Sequence, residues 1–316
     1  MRAIQVSEFG GPEVLEQVEL DDPKPGKGEV LVEVARSGVN FADTHQRRDE
    51  YLAKAELPFI PGGEVSGTTA NGRRVAALLT GGGYAERVVV GEAALVPVPD
   101  GVSDDAAAAI LLQGLTARTM LRVCGRLEPG ETVVVGAAGG GTGTLAVQLA
   151  KRFGAGRVIA LASSEEKREL ALRLGADAAV DNRSESLKDE IIAANDGERV
   201  DVVLERAGGA IFYACLSALA PFGRLVSFGI ASGDSNTVNT RKLMSTSRAV
   251  VGFWLMHLFT RPDELRAGIE DLFAALASAE LEVVIGGVYP LSEVAKAHED
   301  LQGRNTQGKL LLDPSG

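Results

Sequence analysis

The chain has 316 residues, with 43 acidic against 32 basic side chains and a formal net charge of −11. That length allows two domains with a sizeable buried core. The acidic balance argues against a nucleic-acid surface, whose phosphate contacts need clustered Lys and Arg. No apolar run reaches the roughly 20 residues of a membrane span.

The first third reads as β-rich. Strands are expected at Ala3–Val6, Val14–Leu20, Glu29–Ala35, Arg74–Leu79, Tyr84–Val90 and Ala94–Pro97, with turns at Gly10-Gly11-Pro12 and Pro23-Lys-Pro-Gly-Lys-Gly28. The opening Met1-Arg-Ala-Ile-Gln-Val is taken into the first strand rather than a leader peptide. The Ala- and Leu-rich stretch Asp104–Cys124 predicts a helix broken near Gly114. From Thr132 the texture alternates, with strands expected at 132–135, 157–162, 177–180, 200–205, 223–229 and 249–255 and helices between most of them. Such alternation implies a parallel sheet covered on both faces, the doubly wound Rossmann arrangement. A helix over Asp263–Ala279 and a strand-turn-helix-strand passage ending at Gly308-Lys309-Leu-Leu-Leu312 complete the chain.

The passage richest in chemistry is Glu131-Thr-Val-Val-Val-Gly-Ala-Ala-Gly-Gly-Gly-Thr-Gly143. A β-branched run ends in clustered glycines, and an amphipathic run follows at once. Strand, tight turn and helix in that order bring backbone N–H groups and the positive end of a helix dipole up to a pyrophosphate. Ala138, Gly139, Gly140, Gly141, Thr142 and Gly143 are therefore candidate cofactor contacts. The strict G-x-G-x-x-G pattern is absent; the flanking strand and helix carry the assignment.

The second Rossmann strand ends Ala160-Leu-Ala-Ser163-Ser164, without the carboxylate that would hold the adenosine ribose of NAD. Ser163 offers a hydrogen bond to a phosphate oxygen and Lys167 a neutralising charge, which favours NADP(H). Glu165 and Glu166 oppose that reading unless they serve the helix N-terminus, and Lys167 and Arg168 could equally be a solvated helix face.

Several motifs then converge: Gly11-Pro12-Glu13-Val14-Leu15, Gly38-Val39-Asn40-Phe41-Ala42-Asp43-Thr44, Pro61-Gly62-Gly63-Glu64-Val65-Ser66-Gly67, Gln113-Gly114-Leu115-Thr116-Ala117, Phe253-Trp254-Leu255 and Gly308-Lys309. With these the chain resembles, over almost its whole length, the zinc-free quinone oxidoreductase (zeta-crystallin-like) branch of the medium-chain dehydrogenase/reductase superfamily. The resemblance implies an α/β fold: a partly β-barrel, GroES-like catalytic domain from residues 1–116 and 259–316 around a Rossmann domain of 117–258.

Zinc-dependent relatives carry Cys-x-x-Asp where this chain has Asn40-Phe41-Ala42-Asp43, and Gly-His-Glu where it has Gly62-Gly63-Glu64. His45, His257 and His298 match no ligand spacing, so no metal is expected. The implied reaction is hydride delivery from NADPH to an acceptor that needs little activation, a quinone or an enone. By the resemblance, Asn40 and Tyr51 line the substrate pocket and donate to the developing oxygen anion. His45 is a candidate proton donor or a plain wall residue, and Asp43 an orienting group rather than a base. Thr116 is implied near the nicotinamide, with a helix N-cap as its alternative role. Gly229 and Ile230 follow the fifth Rossmann strand, Phe253, Trp254 and Leu255 should wall the cofactor cleft, and Lys309 should reach a cofactor phosphate. Arg206 stands where an apolar residue is more usual.

The apolar run Ser247–Leu255 at the end of the sheet predicts edge pairing into a homodimer. Cys124 and Cys215, in no metal or redox spacing, suit a reducing cytoplasm. The expected activity is NADPH-dependent quinone reduction. An enone or alkenal double-bond reductase and a non-catalytic NADPH-binding structural protein are the alternatives.

Overall fold

The fold is taken from a computed structural model that describes residues 1–229, 231, 233 and 236–316. The chain divides into two compact units, Met1–Gln113 with Ile269–Gly316, and Gly114–Gly268.

The first unit opens with β1 (Arg2–Gln5) and β2 (Glu16–Glu19), an antiparallel pair. Pro12–Val14 is a single 3₁₀ turn, so β2 starts later than the apolar pattern suggests. There follow β3 (Glu29–Val39), α1 (Phe41–Gln46), β4 (Glu64–Thr69), β5 (Arg74–Leu78), β6 (Arg87–Gly91), β7 (Val96–Pro97) and α2 (Asp104–Thr119). β3 runs past Ala35 because its far end pairs on both sides, with β4 and with the last strand of the chain. β4 is a strand that its Gly- and Ser-containing sequence hides. Gly67 is required in it, because a Cβ there would stand 2.0 Å from the Glu33 carbonyl oxygen of the neighbouring strand.

α2 is not broken at Gly114; it continues to Thr119 and closes in a π-helical turn over Met120–Cys124. A glycine inside a helix costs about 1 kcal/mol. Burial of Ile110, Leu111, Leu115, Met120 and Leu121 on the same run is worth about 1.5–3 kcal/mol per large side chain, and wins.

The second unit carries β8 (Thr132–Val135), α3 (Gly141–Arg152), β9 (Arg157–Ala162), α4 (Glu165–Arg173), β10 (Ala178–Asp181), α5 (Leu187–Ala193), β11 (Val200–Glu205), α6 (Gly209–Ala218), β12 (Leu219–Ser227), α7 (Thr240–Thr246), β13 (Ala249–Gly252) and α8 (Pro262–Ala277, whose end passes into the first unit). Its strands form one parallel sheet in the order β10-β9-β8-β11-β12-β13. The order reverses between β8 and β11, the switch point where the carboxyl ends of a doubly wound sheet leave a crevice. β13 ends at Gly252, and Leu255–Thr260 is a 3₁₀ turn, so Phe253, Trp254 and Leu255 lie beyond the strand.

The chain returns to the first unit with β14 (Ile285–Pro290), α9 (Val294–Gln302) and β15 (Lys309–Asp313), which inserts beside β3 in the sheet β14-β15-β3-β4-β5-β7.

Candidate functional site

In the second unit, the carboxyl ends of β8, β9, β11, β12 and β13 meet one sheet edge, and most sequence-selected cofactor positions fall there. After β8 the backbone turns through Ala137 in the left-handed region, at φ 51°. Gly143 is sterically obligatory: a Cβ on it would lie 2.2 Å from the Ala137 carbonyl oxygen and 2.6 Å from the Ala138 Cα. Ala138 is buried and its N–H bonds the Leu161 carbonyl of β9 at 3.0 Å, fixing the turn to the sheet. Gly140 is the N-cap of α3, so no side chain caps the turn opened by Gly141, Thr142 and Gly143. A first helical turn with no side-chain cap among the described residues, beside close-packed glycines, fits a pyrophosphate.

Lys167 belongs to this same place. A Cβ on Gly139 would stand 2.7 Å from both Cβ and Cγ of Lys167, so the lysine stem lies across the glycine turn. Ser163 is half-buried at the end of β9, just ahead of Ser164, the N-cap of α4. The opposing acids have other work. Glu166 is held below its ordinary range by its own backbone N–H and the Ser164 hydroxyl, and Glu165 pairs with Arg168 at 2.7 Å. Arg168 also pairs with Asp181, so it is a bridging residue of α4.

Further along the edge, Glu205 ends β11 almost fully buried. Its Oε1 accepts from Ala207 N–H at 2.5 Å and Gly208 N–H at 2.9 Å, its Oε2 has no partner among the described residues, and burial pushes its carboxyl up. Gly229 packs on Arg206, whose Cβ would be 3.2 Å from a Cβ at 229; Ile230 lies outside the described residues. Phe253 continues from β13 through a bond of its N–H to the Ser227 carbonyl, and Trp254 meets His257 edge-on at 5.1 Å. Thr116 is buried in the interior of α2, which rules out an N-cap role.

The first unit holds a second constellation, and its partners come from four separated motifs. The Lys309 ammonium on β15 is buried. It donates to Asn40 Oδ1 at 2.6 Å and to Glu64 Oε1; the side chains of this ion pair are 2% and 0% exposed. Gln113 Nε2 on α2 donates to the same Asn40 Oδ1 at 2.8 Å. The Asn40 Nδ2 group donates to the Gly38 carbonyl at 3.1 Å and to Glu64 Oε1 at 3.3 Å. Glu64 Oε2 accepts from the Leu112 backbone N–H at 2.9 Å.

A side-chain amide has two N–H donors and two acceptor lone pairs. Asn40 uses all four, so the expected donation from its amide to a substrate oxygen has no hydrogen left to make it. Lys309 is likewise not directed at a phosphate: its ammonium is enclosed by Asn40 and Glu64, because β15 inserts beside β3 and carries residue 309 inward.

Beneath this lies Asp43 on α1. Its Oδ2 accepts from the Asn40 N–H at 2.8 Å and from the Tyr84 hydroxyl at 2.8 Å. Burial pushes the Asp43 carboxyl up to about 6, against the pull of those bonds. The Tyr84 oxygen lies 3.1 Å from His298 Nε2. Since Tyr84 donates to Asp43, its oxygen accepts from His298 Nε2–H, which leaves Nδ1 as the bare nitrogen; that atom is buried without a partner among the described residues. Burial and the Arg47 guanidinium hold His298 down at about 3, so it is neutral at physiological pH. Arg47 is itself fully buried, donating to the Gly10 carbonyl and to Gln302. It anchors the segment that follows α1 rather than lining it.

His45 is half-buried on α1 with Nδ1 3.6 Å from Glu50 Oε2, and Tyr51 lies half-buried in the irregular segment beyond. The structure thus gathers Asn40 and Lys309 into one cluster with Glu64, Gln113 and Asp43. Tyr84 and His298 had no sequence signal beyond ordinary core positions.

The donor chemistry does not fit zinc. The two ligand positions hold an amide and a glycine, and an ammonium already lies against Asn40 and Glu64. Among the described residues no group of three or more His, Cys, Asp or Glu side chains could hold a metal ion.

Comparison with known proteins agrees with this architecture. Residues 26–100 match the alcohol dehydrogenase GroES-like domain family, and residues 141–274 the zinc-binding dehydrogenase family. The chain is 35% identical to a quinone oxidoreductase of Pseudomonas aeruginosa, with 99% of each chain covered, and 32% identical to that of mouse, over 99% of this chain and 97% of the relative. Among solved structures, the Escherichia coli quinone oxidoreductase complexed with NADPH superposes with a TM-score of 0.93 at 32% identity, covering 99% of this chain and 100% of that one. The Thermus thermophilus quinone oxidoreductase, also solved with NADPH, gives 0.90 at 39% identity and the same coverage. The chain is a member of the medium-chain dehydrogenase/reductase superfamily. Within it, the chain belongs with the quinone oxidoreductases, as its motifs implied.

Proposed function

We propose that this protein is an NADPH-dependent oxidoreductase that reduces quinones by hydride transfer without a metal. The observation that carries the cofactor choice is the β8–α3 turn: no carboxylate ends β9, and the Lys167 stem lies across Gly139. NADPH bound there would supply a hydride. The residues that would hold it are Ala138, Gly139, Gly140, Gly141, Thr142 and Gly143 at the pyrophosphate, Ser163 and Lys167 at the ribose phosphate, and Thr116, Gly229, Ile230, Phe253, Trp254 and Leu255 toward the nicotinamide.

The proposed acceptor is a quinone, in which conjugation spreads the arriving charge, so orientation and a few polar groups suffice. Tyr51 and His45 remain the proposed donors of the substrate pocket. Asn40 serves as a rigid strut between Lys309, Glu64 and Gln113. Steady-state oxidation of NADPH against 1,4-benzoquinone, 9,10-phenanthrenequinone, crotonaldehyde and crotonyl-CoA tests the reading. Turnover with the quinones supports it, turnover with crotonaldehyde alone makes the protein a double-bond reductase, and tight NADPH binding with no turnover makes it a structural nucleotide-binding protein.

The proposed assembly is a homodimer through β13, the terminal strand of its sheet, flanked by Phe222 and Met244 at 79% and 78% exposure. A sedimentation mass of one chain at micromolar concentration would refute it. The proposed compartment is the cytoplasm, since both cysteines are unpaired thiols. Among the described residues no helix is long and apolar enough to cross a membrane.

A further inference from the structure

Glu205 is an expensive residue for its place. It ends β11 at 1% exposure, beside the switch point, where the Gly136 N–H just past β8 donates to the Leu204 carbonyl at 2.8 Å. Burying a carboxyl group is costly unless its oxygens are hydrogen-bonded. Among the described residues only Oε1 is: the N–H groups of Ala207 and Gly208 both donate to it, at 2.5 and 2.9 Å. Gly208 is the N-cap of α6, so those two N–H groups belong to the β11–α6 turn and not to the helix. The same turn is tied to the end of β12. The Phe228 N–H donates to the Glu205 carbonyl at 3.0 Å, and the Ala231 N–H to the Arg206 carbonyl at 2.9 Å. Between them Gly229 packs so closely that a Cβ on it would stand 3.2 Å from both the Cβ and the carbonyl oxygen of Arg206. One side chain thus fixes the turn, and the turn's carbonyls fix the backbone that leaves β12.

We propose that Glu205 is a positioning residue for the nicotinamide half of the cofactor: through Oε1 it holds the β11–α6 turn, and through that turn the backbone at Phe228, Gly229 and Ala231. Its bearing on NADPH rests on the proposed function, which puts Gly229 toward the nicotinamide; the latch itself does not. Without that oxygen two backbone N–H groups of the turn lose their acceptor, and the carbonyls of Glu205 and Arg206 lose their fixed aim. The adenosine half, assigned to Ser163 and Lys167, lies past the end of β9, which β8 separates from β11, and is untouched. Because Oε2 has no partner among the described residues, a glutamine amide keeps both bonds that the carboxyl makes.

The test compares wild type, Glu205→Gln and Glu205→Leu, the last filling the same space with no acceptor. Calorimetry gives the Kd of NADPH and of adenosine 2′,5′-bisphosphate, which carries the adenosine half alone. Hydrogen exchange, read by mass spectrometry on the free protein, follows peptides containing Ala207 and Gly208 and peptides containing Phe228 and Ala231. In Glu205→Leu both sets of amides should exchange at least about ten-fold faster. The same variant should bind NADPH at least about five-fold more weakly and the bisphosphate as wild type does. Glu205→Gln should match wild type in all of these. Equal weakening of both nucleotides makes Glu205 a general structural residue and overturns the proposal, as does no weakening of either. A glutamine variant that behaves like the leucine one overturns it too, because Oε1 would then not be the atom that acts. Unchanged exchange at Phe228 and Ala231 in Glu205→Leu denies the latch. Should Glu205→Leu not fold, Glu205→Asp, whose carboxyl ends one methylene short of the turn, takes its place in each comparison. If the wild type binds neither nucleotide, the proposed cofactor falls, and the exchange result alone decides the latch.

Discussion

Replacing His298 with glutamine should change how stability depends on pH, in the opposite sense to replacing Asp43 with asparagine. In the folded chain His298 takes a proton only at about 3, against an ordinary 6.5, because it is buried near Arg47. As pH falls below 6.5 the unfolded chain gains a proton that the folded chain does not, so stability drops by about 1.4 kcal/mol per pH unit until about pH 3. Asp43 does the reverse. Its folded value is about 6 against an ordinary 3.8, so the folded chain takes the proton first and gains stability as pH falls between those values. In wild type the two slopes nearly cancel between pH 6 and 4, and only the variants expose them.

Relative to wild type, His298→Gln should gain about 3 kcal/mol on going from pH 6.5 to 4, and Asp43→Asn should lose about 3 kcal/mol from pH 6 to 4. Glutamine can still donate to the Tyr84 oxygen, and asparagine can still accept from its hydroxyl, so the packing is kept. Urea unfolding followed by far-ultraviolet circular dichroism is the assay. Trp254, the single tryptophan, lies in the other unit and would report the wrong transition. If both difference curves stay flat within about 1 kcal/mol, the buried Asp43–Tyr84–His298 arrangement does not exist in solution.

Three other outcomes are expected. Lys309→Met leaves the Glu64 carboxylate buried and uncompensated and should cost about 3–5 kcal/mol, most of it recovered in the Lys309→Met/Glu64→Gln double variant; chemical unfolding checks both. Gly143→Ala drives a Cβ into the Ala137 carbonyl and should weaken NADPH binding at least ten-fold; a fluorescence titration that matches wild type would deny the turn its role. Lys167→Ala should raise the KM for NADPH far more than that for NADH, and equal effects would remove Lys167 from the ribose phosphate.

What the sequence disclosed follows the range over which its signals act. The glycine turn was legible because strand, turn and helix are contiguous, and each constraint on Gly143 comes from residues six or fewer positions away. The polar cluster was not. Its bonds join residues 24, 73 and 269 positions apart, and no periodicity says which distant side chain faces which. Lys309 shows the consequence: the family resemblance implied a phosphate contact for it, and only the pairing of β15 with β3 turns it toward Glu64. Gly114 fails as a helix breaker for a related reason, since local propensity is weaker than the burial of Leu111 and Leu115 on either side.

The cluster also poses a question of cost that bears on what it is for. Apolar side chains could fill the same volume more cheaply, because buried ion pairs seldom repay their desolvation. Among the described residues this one keeps three unpartnered atoms nearby, Gln113 Oε1, His298 Nδ1 and Arg47 Nε. The last two are an acceptor and a donor in the same neighbourhood and are complementary in kind. Gln113 Oε1 is the acceptor left over once Gln113 Nε2 donates to Asn40. The deep end of the network, where Asp43, Tyr84 and His298 answer one another, is built for the protein's own structure.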